Sequence, residues 1–216
     1  MMTKPTFNRW HFLWMLLAVI GNLSAQNESR EARMKLISNE LIVNSSPEKV
    51  WQTLASFGNV STFLSTIDEG SAINGSVNMA VLGAERESII PNGVNNIIYK
   101  ERIIDIEAGA YYTLEVFESE NFPLKKMYVT YGVTVNKKGQ TVLFSTMEYK
   151  LNSGLLTRLM KGKMDKRNMD HLIAYKFHIE TGEENADIKT LRKRFYKGDL
   201  LESDKDYIVI NDLIDK

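Results

Sequence analysis

Cysteine is absent from the 216-residue sequence, histidine is scarce and the net charge is zero, and each shortage excludes a class of function. A chain without cysteine has no disulfide, no thiolate nucleophile and no sulfur-ligated metal site. Basic and acidic residues are equal in number, 27 of each, so no overall field attracts nucleic acid. We therefore expect no nucleic-acid partner.

Histidine and glycine provide no metal or phosphate site either. His171 and His178 lie seven residues apart on a predicted helix and share a face, but no third ligand is found at a credible spacing. Gly132 and Gly139 lie in or beside predicted strands, whereas a phosphate-binding loop precedes a helix. No Ser-His-Asp motif is present. We expect no metal and no cofactor, and we assign no catalytic residue.

One apolar run lies close to the N-terminus. Trp10–Ile20 follows the basic residues Lys4 and Arg9 and precedes the small residues around Ala25, which is typical of a secretory signal peptide over residues 1–25. The run is shorter than the roughly 20 apolar residues that span a bilayer. We therefore predict cleavage after Ala25, export to the periplasm or the medium, and no stable membrane insertion afterwards. An uncleaved N-terminal anchor is the alternative.

The rest of the composition, 44% hydrophobic and 25% charged, is typical of a soluble globular protein. The length suits one domain with a substantial core. We assign residues 26–34 to a linker, 35–182 to this domain and 183–216 to a polar C-terminal extension. The extension contains a basic run, Leu191–Lys197, and we predict that it is a solvated appendage. A membrane-surface or partner-docking role is the alternative.

Cap and turn residues place the first elements of the domain. Met34–Val43 is predicted to form a strand. A helix begins at Ser45–Pro47, because serine is a favourable cap and proline suits the first helical position. Gly58 ends this helix, and a second short helix follows at Asn59–Leu64.

From Thr66 onward, apolar and polar residues alternate with a period of two, which indicates antiparallel strands with one face buried. After turn signals at Asp68–Gly70 and Asn74–Gly75, the predicted strands are Asn78–Ile90, Asn95–Asp105, Ala110–Glu118, Lys126–Asn136 and Gln140–Lys150. Leu155–Glu180 then has the spacing of a long amphipathic helix, which Thr181–Gly182 ends. This order predicts an α+β fold in which a curved antiparallel sheet wraps around a helix.

Several short motifs, taken in this order, resemble those of the START-like, Bet v 1-like (SRPBCC) superfamily, and within it the polyketide cyclase/dehydrase and lipid-transport group. The residues that carry the resemblance are Ser46–Trp51, Phe57–Asn59, Gly83–Arg86, Glu101–Ile103, Asp105, Pro123, Gly139–Thr141 and Phe144. The resemblance covers about Lys35 to Glu180, and the C-terminal extension lies outside it. Where the family often has Trp, this chain has Phe144.

The resemblance implies a helix-grip fold, with a curved seven-stranded antiparallel sheet around a long C-terminal helix and an apolar cavity between them. Members of the superfamily bind lipids, polyketides, hormones or other hydrophobic small molecules, and some catalyse cyclisation or dehydration in the cavity. The expected partner is therefore a hydrophobic small molecule or a lipid. Fold is implied more firmly than function.

Strand alternation predicts which side chains face the core. Tyr99 and Glu101 point inward when Lys100 and Arg102 point to water, and the same rule turns Arg86 inward. The other inward residues are predicted to be Ile103, Tyr112, Leu114, Val116, Met127, Val129, Tyr131, Val133, Leu143, Ser145, Met147 and Tyr149.

Arg86 and Glu101 are the only charges predicted to point inward, and they lie on strands that are neighbours in a meander. An unpaired buried charge costs several kcal/mol, so each needs the other or a polar ligand. The pair either orients a polar ligand group, with Glu101 as a possible acid or base, or bridges the two strands structurally. A bulge that breaks the alternation would instead place both in solvent.

Helix residues complete the candidate site. Met160 and Met164 can provide an adaptable surface beneath a ligand, although methionine and the aromatic residues Trp51 and Phe57 equally suit a plain core. The candidate ligand-binding residues are Trp51, Phe57, Phe63, Arg86, Tyr99, Glu101, Tyr112, Leu114, Tyr131, Leu143, Met147, Met160 and Met164.

Three functions remain in competition, the third being a stress or envelope protein whose surface, including the basic tail, binds a partner. The first is an exported protein that binds or transports a hydrophobic small molecule or lipid between the sheet and the C-terminal helix. The second is an enzyme of the polyketide cyclase or dehydratase type, in which Glu101 or a cavity tyrosine such as Tyr99 transfers protons.

Overall fold

A curved antiparallel sheet of seven strands forms the frame of the domain. The computed structural model describes residues 34–64 and 66–197, so the predicted signal peptide and nearly all of the predicted linker lie outside the described residues. The strands are β1 (Lys35–Ile42), β2 (Glu69–Ala72), β3 (Glu85–Ile90), β4 (Ile97–Glu107), β5 (Tyr111–Glu120), β6 (Leu124–Val135) and β7 (Thr141–Leu151). Their order in the sheet is β1-β7-β6-β5-β4-β3-β2, so the first strand pairs with the last.

Four α-helices accompany the sheet in the described residues. They are α1 (Pro47–Ala55), α2 (Gly154–Leu159), α3 (Lys161–Thr181) and α4 (Ile188–Lys197), and a 3₁₀ helix, Phe57–Thr62, follows α1. The Ser46 hydroxyl accepts a hydrogen bond from the Lys49 backbone N–H at 3.3 Å, so of the two candidate serines it is Ser46 that caps α1. Gly182 ends α3 in the left-handed conformation, with φ of +76°. The predicted α+β helix-grip arrangement is confirmed.

Burial follows the predicted alternation along the strands. In β4, Ile97, Tyr99, Glu101 and Ile103 are buried, and the residues between them are only partly buried. All the residues that the alternation turned inward are buried in the structure, in one cluster with the inner face of α3. The concave side of the sheet and α3 therefore share one core.

The predicted strand Asn78–Ile90 begins too early in the sequence. β3 starts only at Glu85, and Val77, Met79, Val81 and Leu82 are exposed in the preceding loop. Gly83 adopts a φ of +81°, which is a turn conformation and not an extended one. The chain therefore cannot continue as one strand through Gly83, and the apolar residues before it stay outside the sheet.

The predicted single helix Leu155–Glu180 is two helices, with an interruption at Met160. The first turn is held by β7: the Tyr149 hydroxyl donates to the Thr157 carbonyl at 2.8 Å, and the Leu151 N–H donates to the Thr157 hydroxyl at 3.0 Å. These bonds tie α2 to the end of β7. Gly162, a weak helix former, then lies at the start of α3.

The prediction of a solvated C-terminal appendage is wrong for residues 188–195. Ile188, Leu191 and Phe195 recur at helical spacing, and α4 packs this apolar stripe on α3, with Leu191 4% and Phe195 9% exposed. Arg192 Nε also donates to Asp170 Oδ1 of α3 at 2.7 Å. The sequence analysis missed this apolar stripe because basic residues dominate the composition of the segment.

The buried face of α4 is testable by truncating Leu191. Leu191→Ala should lower the free energy of unfolding by about 2–5 kcal/mol, because it leaves a cavity between α3 and α4. Lys193→Ala, on the exposed side of the same helix, should change it by less than about 0.5 kcal/mol. Urea denaturation measures both values, and equal effects of the two substitutions would show that α4 is not packed in solution.

Candidate functional site

A small internal cavity lies between the concave face of the sheet and the first half of α3. Its walls come from β3, β4, β6, β7, the segment after the 3₁₀ helix, and α3. The lining residues are Leu64, Ile67, Arg86, Ser88, Ile90, Tyr99, Glu101, Met127, Val129, Tyr131, Met147, Met164, Arg167 and His171. The cavity volume is about 40 Å³. A water molecule occupies about 30 Å³ in the liquid, so the space is of the order of one small polar group.

The structure brings six of the thirteen candidate residues together around this cavity, namely Arg86, Tyr99, Glu101, Tyr131, Met147 and Met164. The other seven lie outside it. Four of them are fully buried in the core: Phe57, Tyr112, Leu114 and Leu143. Phe63 packs on Tyr175 with ring centroids 5.1 Å apart, and Trp51 packs on the edge of Tyr112. Met160 lies at the interruption between α2 and α3. Strand alternation identifies the buried face, but it does not tell how far along each strand the cavity lies.

Arg167 and His171 were missed by the sequence analysis. They follow Met164 on α3 at intervals of three and four residues, so the three side chains share one helix face. This spacing was the available signal, because Met164 was already a candidate. His171 was considered only as a metal ligand, and Arg167 was not considered.

The predicted charge pair is present at the polar end of the cavity. Arg86 and Glu101 are directly opposite on β3 and β4, are 2% and 7% exposed, and form an ion pair in which Arg86 Nε lies 2.5 Å from Glu101 Oε2. Ser88 Oγ donates to the same carboxylate oxygen at 2.9 Å. The pair therefore bridges the two strands and also lines the cavity.

The start of the 3₁₀ helix provides further contacts for the Arg86 guanidinium. Its Nη1 donates to the Phe57 carbonyl at 2.9 Å, and its central carbon lies 4.3 Å from the centroid of the Phe57 ring. Burial alone would lower the pKa of Arg86, but the neighbouring Glu101 carboxylate raises it above its ordinary value. Arg86 thus stays charged and fastens the start of the 3₁₀ helix to the sheet.

Tyrosines and one histidine form the wall beside this pair. The rings of Tyr112, Tyr131 and Tyr175 pack in sequence, with centroids 5.9 Å and then 5.7 Å apart. Burial raises the pKa of all three, and also of Tyr99, so these hydroxyls keep their protons. Tyr99 and Tyr131, the two of these tyrosines that line the cavity, therefore carry protonated hydroxyls there.

His171 links this tyrosine wall to α3. Its Nδ1 lies 3.0 Å from the Tyr131 hydroxyl, whereas its Nε2 is buried and has no hydrogen-bond partner among the residues the structure describes. Burial, with the positive charges of Arg167 and Arg86, lowers the pKa of His171 to about 3. The imidazole is therefore neutral at ordinary pH, with one nitrogen left for a further hydrogen bond.

Comparison with solved structures finds the same arrangement of strands and helices in other proteins. The ginseng major latex-like protein 151 from Panax ginseng aligns with a TM-score of 0.54 and 15% identity, over 70% of this chain and 99% of its own. Ara h 8.0201 aligns with a TM-score of 0.56 and 11% identity, over 68% of this chain and 97% of its own. XoxI from Bacillus cereus aligns with a TM-score of 0.50 and 20% identity, over 68% of this chain and 95% of its own.

The fold is Bet v 1-like. No family model matches the sequence, and no curated protein is significantly similar to it. The matches span nearly the whole of each solved structure at identities of 11–20%, so they establish the fold and leave the ligand open.

The Bet v 1-like architecture explains where the cavity lies. A curved sheet and a straight helix cannot stay in contact along their whole length, and the space between them is filled by side chains of differing size. The side chains that line this space include three methionines, Met127, Met147 and Met164, as well as the charged pair. In the described part of the chain, no cluster of three or more His, Asp and Glu side chains could hold a metal, and no helix is long and apolar enough to cross a membrane.

The buried pair gives a stability prediction. Glu101→Leu should cost about 3–5 kcal/mol of unfolding free energy, because it leaves the Arg86 charge buried without its counter-ion. The double variant R86M/E101L should be more stable than E101L alone, since it removes that charge. Lys100→Met is the matched control: it breaks the exposed Lys100–Glu118 pair between β4 and β5, whose side chains are 29% and 47% exposed.

The control should cost less than about 1 kcal/mol, because exposed pairs are weak. Urea denaturation of the four proteins, including the wild type, measures these differences. A double variant no more stable than E101L would contradict the view that the uncompensated guanidinium causes the loss.

Proposed function

We propose that the protein is an exported binding protein that holds a hydrophobic small molecule or a lipid between the sheet and α3. The observation that carries this proposal is the cavity itself, which joins an apolar wall to a buried polar end within one core. Met127, Met147 and Met164 provide the apolar wall, and Arg86, Glu101 and Tyr99 provide the polar end. Such a division suits a ligand with an apolar body and one polar group.

The small volume of the cavity defines what binding requires. Drug-sized ligands occupy sites of about 300–1,000 Å³, whereas the cavity without ligand measures about 40 Å³. The ligand body must therefore take the place of side chains that fill the core. Methionine is the residue best suited to yield, because its unbranched side chain has several rotatable bonds and accommodates different shapes.

The polar end, in contrast, is pre-organised. Glu101 is held by Arg86 and Ser88, and Arg86 is held in turn by the Phe57 carbonyl. These bonds fix the directions of the groups that a ligand meets, which reduces the entropy lost on binding. We propose that the polar end orients the ligand and that the methionine wall adapts to it.

The cyclase or dehydratase alternative receives no separate support from the geometry. Oε2 of Glu101 already accepts hydrogen bonds from Arg86 and Ser88, and burial raises the pKa of Tyr99, so that this tyrosine resists giving up its proton. Proton transfer needs a group that is free to exchange its proton near the operating pH. Binding without chemistry is therefore the proposal that we retain.

Ligand capture can be tested by native mass spectrometry of protein purified from its own host. We expect an adduct on the wild-type protein that organic extraction releases. Met164→Trp should abolish it, because the larger side chain fills the cavity. Leu159→Trp is the matched control, since Leu159 is 70% exposed on α2 and outside the cavity.

Wild-type protein that is always empty, and whose cavity stays closed when it is crystallised with apolar compounds, would contradict ligand binding. An adduct retained in full by Met164→Trp would place the ligand elsewhere on the molecule.

Export can be tested by the intact mass of the mature protein. The predicted signal peptide is the basis of this part of the proposal, and it lies outside the described residues. In its own host, the protein should accumulate outside the cytoplasm with Gln26 as its first residue, because cleavage is predicted after Ala25. A variant that lacks residues 1–25 should stay in the cytoplasm. Full-length protein in the membrane fraction would instead favour the anchor.

A further inference from the structure

The charges that line the cavity do not balance. Arg86, Glu101 and Arg167 are its charged residues, and His171 is neutral at ordinary pH. Arg86 and Glu101 neutralise each other through their ion pair. Arg167 has no ion pair and no hydrogen bond among the described residues, so the lining as a whole carries one uncompensated positive charge. A guanidinium in such a site favours a negatively charged partner.

The acidic residue of α3 whose charge acts on Arg167 is already ion-paired with another residue. Asp170 is 1% exposed, and both of its carboxylate oxygens bind Arg192 of α4, with Arg192 Nε donating to Oδ1 at 2.7 Å and Nη2 to Oδ2. This two-point contact uses the geometry that a guanidinium and a carboxylate prefer. Asp170 is therefore committed to holding α4 on α3, and Arg167 is left for the cavity.

Arg167 differs from Arg86 in its surroundings. Arg167 is half-buried, and its pKa is lowered from the ordinary value, chiefly by burial, whereas the Glu101 carboxylate raises the pKa of the fully buried Arg86. The two arginines therefore differ in burial and in the presence of an ion-paired carboxylate within the chain.

Neutral donors surround Arg167 on the cavity side. His171 lies one turn along the same face of α3, and its Nε2 has no partner. Tyr131 keeps its proton and can donate it to His171 Nδ1, which leaves a hydrogen on the buried, unpartnered Nε2. Tyr99 lines the same space, and its hydroxyl makes no hydrogen bond with any residue that the structure describes.

We propose that the cavity binds an amphiphile with a carboxylate head group, which pairs with the Arg167 guanidinium and accepts hydrogen bonds from His171 Nε2–H and the Tyr99 hydroxyl. This inference rests on the proposed function and names its ligand class. A volume of about 40 Å³ accommodates a group the size of a carboxylate. The apolar tail then lies along Met127, Met147 and Met164.

The experiment compares three probes that share one alkyl tail: dodecanoate, dodecan-1-ol and dodecyl phosphate. Isothermal titration calorimetry on the mature wild-type chain should show dodecanoate binding at least about tenfold more tightly than dodecan-1-ol, because a charge-assisted hydrogen bond contributes this much. Arg167→Met should remove that difference and leave dodecan-1-ol binding within about twofold of the wild type.

Two further variants separate the Arg167 contact from general charge effects. Arg158→Met is the matched control, because Arg158 is an exposed arginine on α2 outside the cavity, and it should leave all three affinities unchanged. Arg167→Lys should give intermediate dodecanoate affinity, since lysine keeps the charge and loses the two-point geometry. Without ligand, Arg167→Met should melt no lower than the wild type, since Arg167 has no partner to lose; a lower melting temperature would indicate a structural role.

A spectroscopic signature gives a second, independent readout. Carbon-13 NMR of dodecanoate labelled at the carboxyl carbon should show that the bound carboxyl group has a pKa below its free value, because the adjacent guanidinium stabilises its charged form. Arg167→Met should remove that depression, and Arg158→Met should keep it.

The outcomes of the titrations distinguish the carboxylate assignment from ligand binding as such. Equal binding of dodecanoate and dodecan-1-ol, or equal weakening of both by Arg167→Met, would overturn the carboxylate assignment and leave hydrophobic binding intact. Tighter binding of dodecyl phosphate than of dodecanoate would also overturn it, in favour of a phosphate head. Binding of none of the three probes would count against the cavity as a ligand site and so against both proposals.

Discussion

The buried Arg86 guanidinium sets the arrangement of the elements around the core. A charge that is 2% exposed must find its partners inside the protein, and it finds them in two other segments. Glu101 on β4 supplies the counter-ion, the carbonyl of Phe57 accepts a second hydrogen bond, and the Phe57 ring covers one face. Because these contacts join β3, β4 and the 3₁₀ helix, one arginine closes one end of the curved sheet over the core.

The need of a guanidinium for a counter-ion also distinguishes Arg167, the second arginine of the cavity, from Arg86. Arg86 is satisfied within the chain, and its role is to hold elements together. Arg167 lines the same space from α3 without a counter-ion, while the acidic residue near it binds Arg192 instead. Arg167 is half-buried, and no described residue forms an ion pair with it. Under the proposed function, the contrast between the two arginines separates the structural end of the cavity from the end that meets the ligand.

The tightly packed side chains of the core and the adaptable side chains of the cavity wall are different residues. Leu114, Leu143 and Tyr112 are fully buried and tightly surrounded, and they form the part of the core that cannot yield without cost. Met127, Met147 and Met164 face the remaining space. A Bet v 1-like frame can thus stay rigid while one wall of its cavity changes shape, as the proposed binding of a ligand in a nearly filled cavity requires.

Periodicity and capping are local properties of the chain, so the sequence by itself determined the order of the main strands, the inward faces of β3 to β7, a serine cap before Pro47 and the stop at Gly182. Sequence alone did not place the exposed loop before β3, the interruption at Met160 or the packing of α4, since each depends on contacts with distant segments. Nor did it distinguish Leu114, a core residue, from Tyr99, a cavity residue, as both alternate inward. Which charges pair and which remain free was decided by tertiary folding, which brings β3, β4, α3 and α4 within the few ångströms over which ion pairs and hydrogen bonds act.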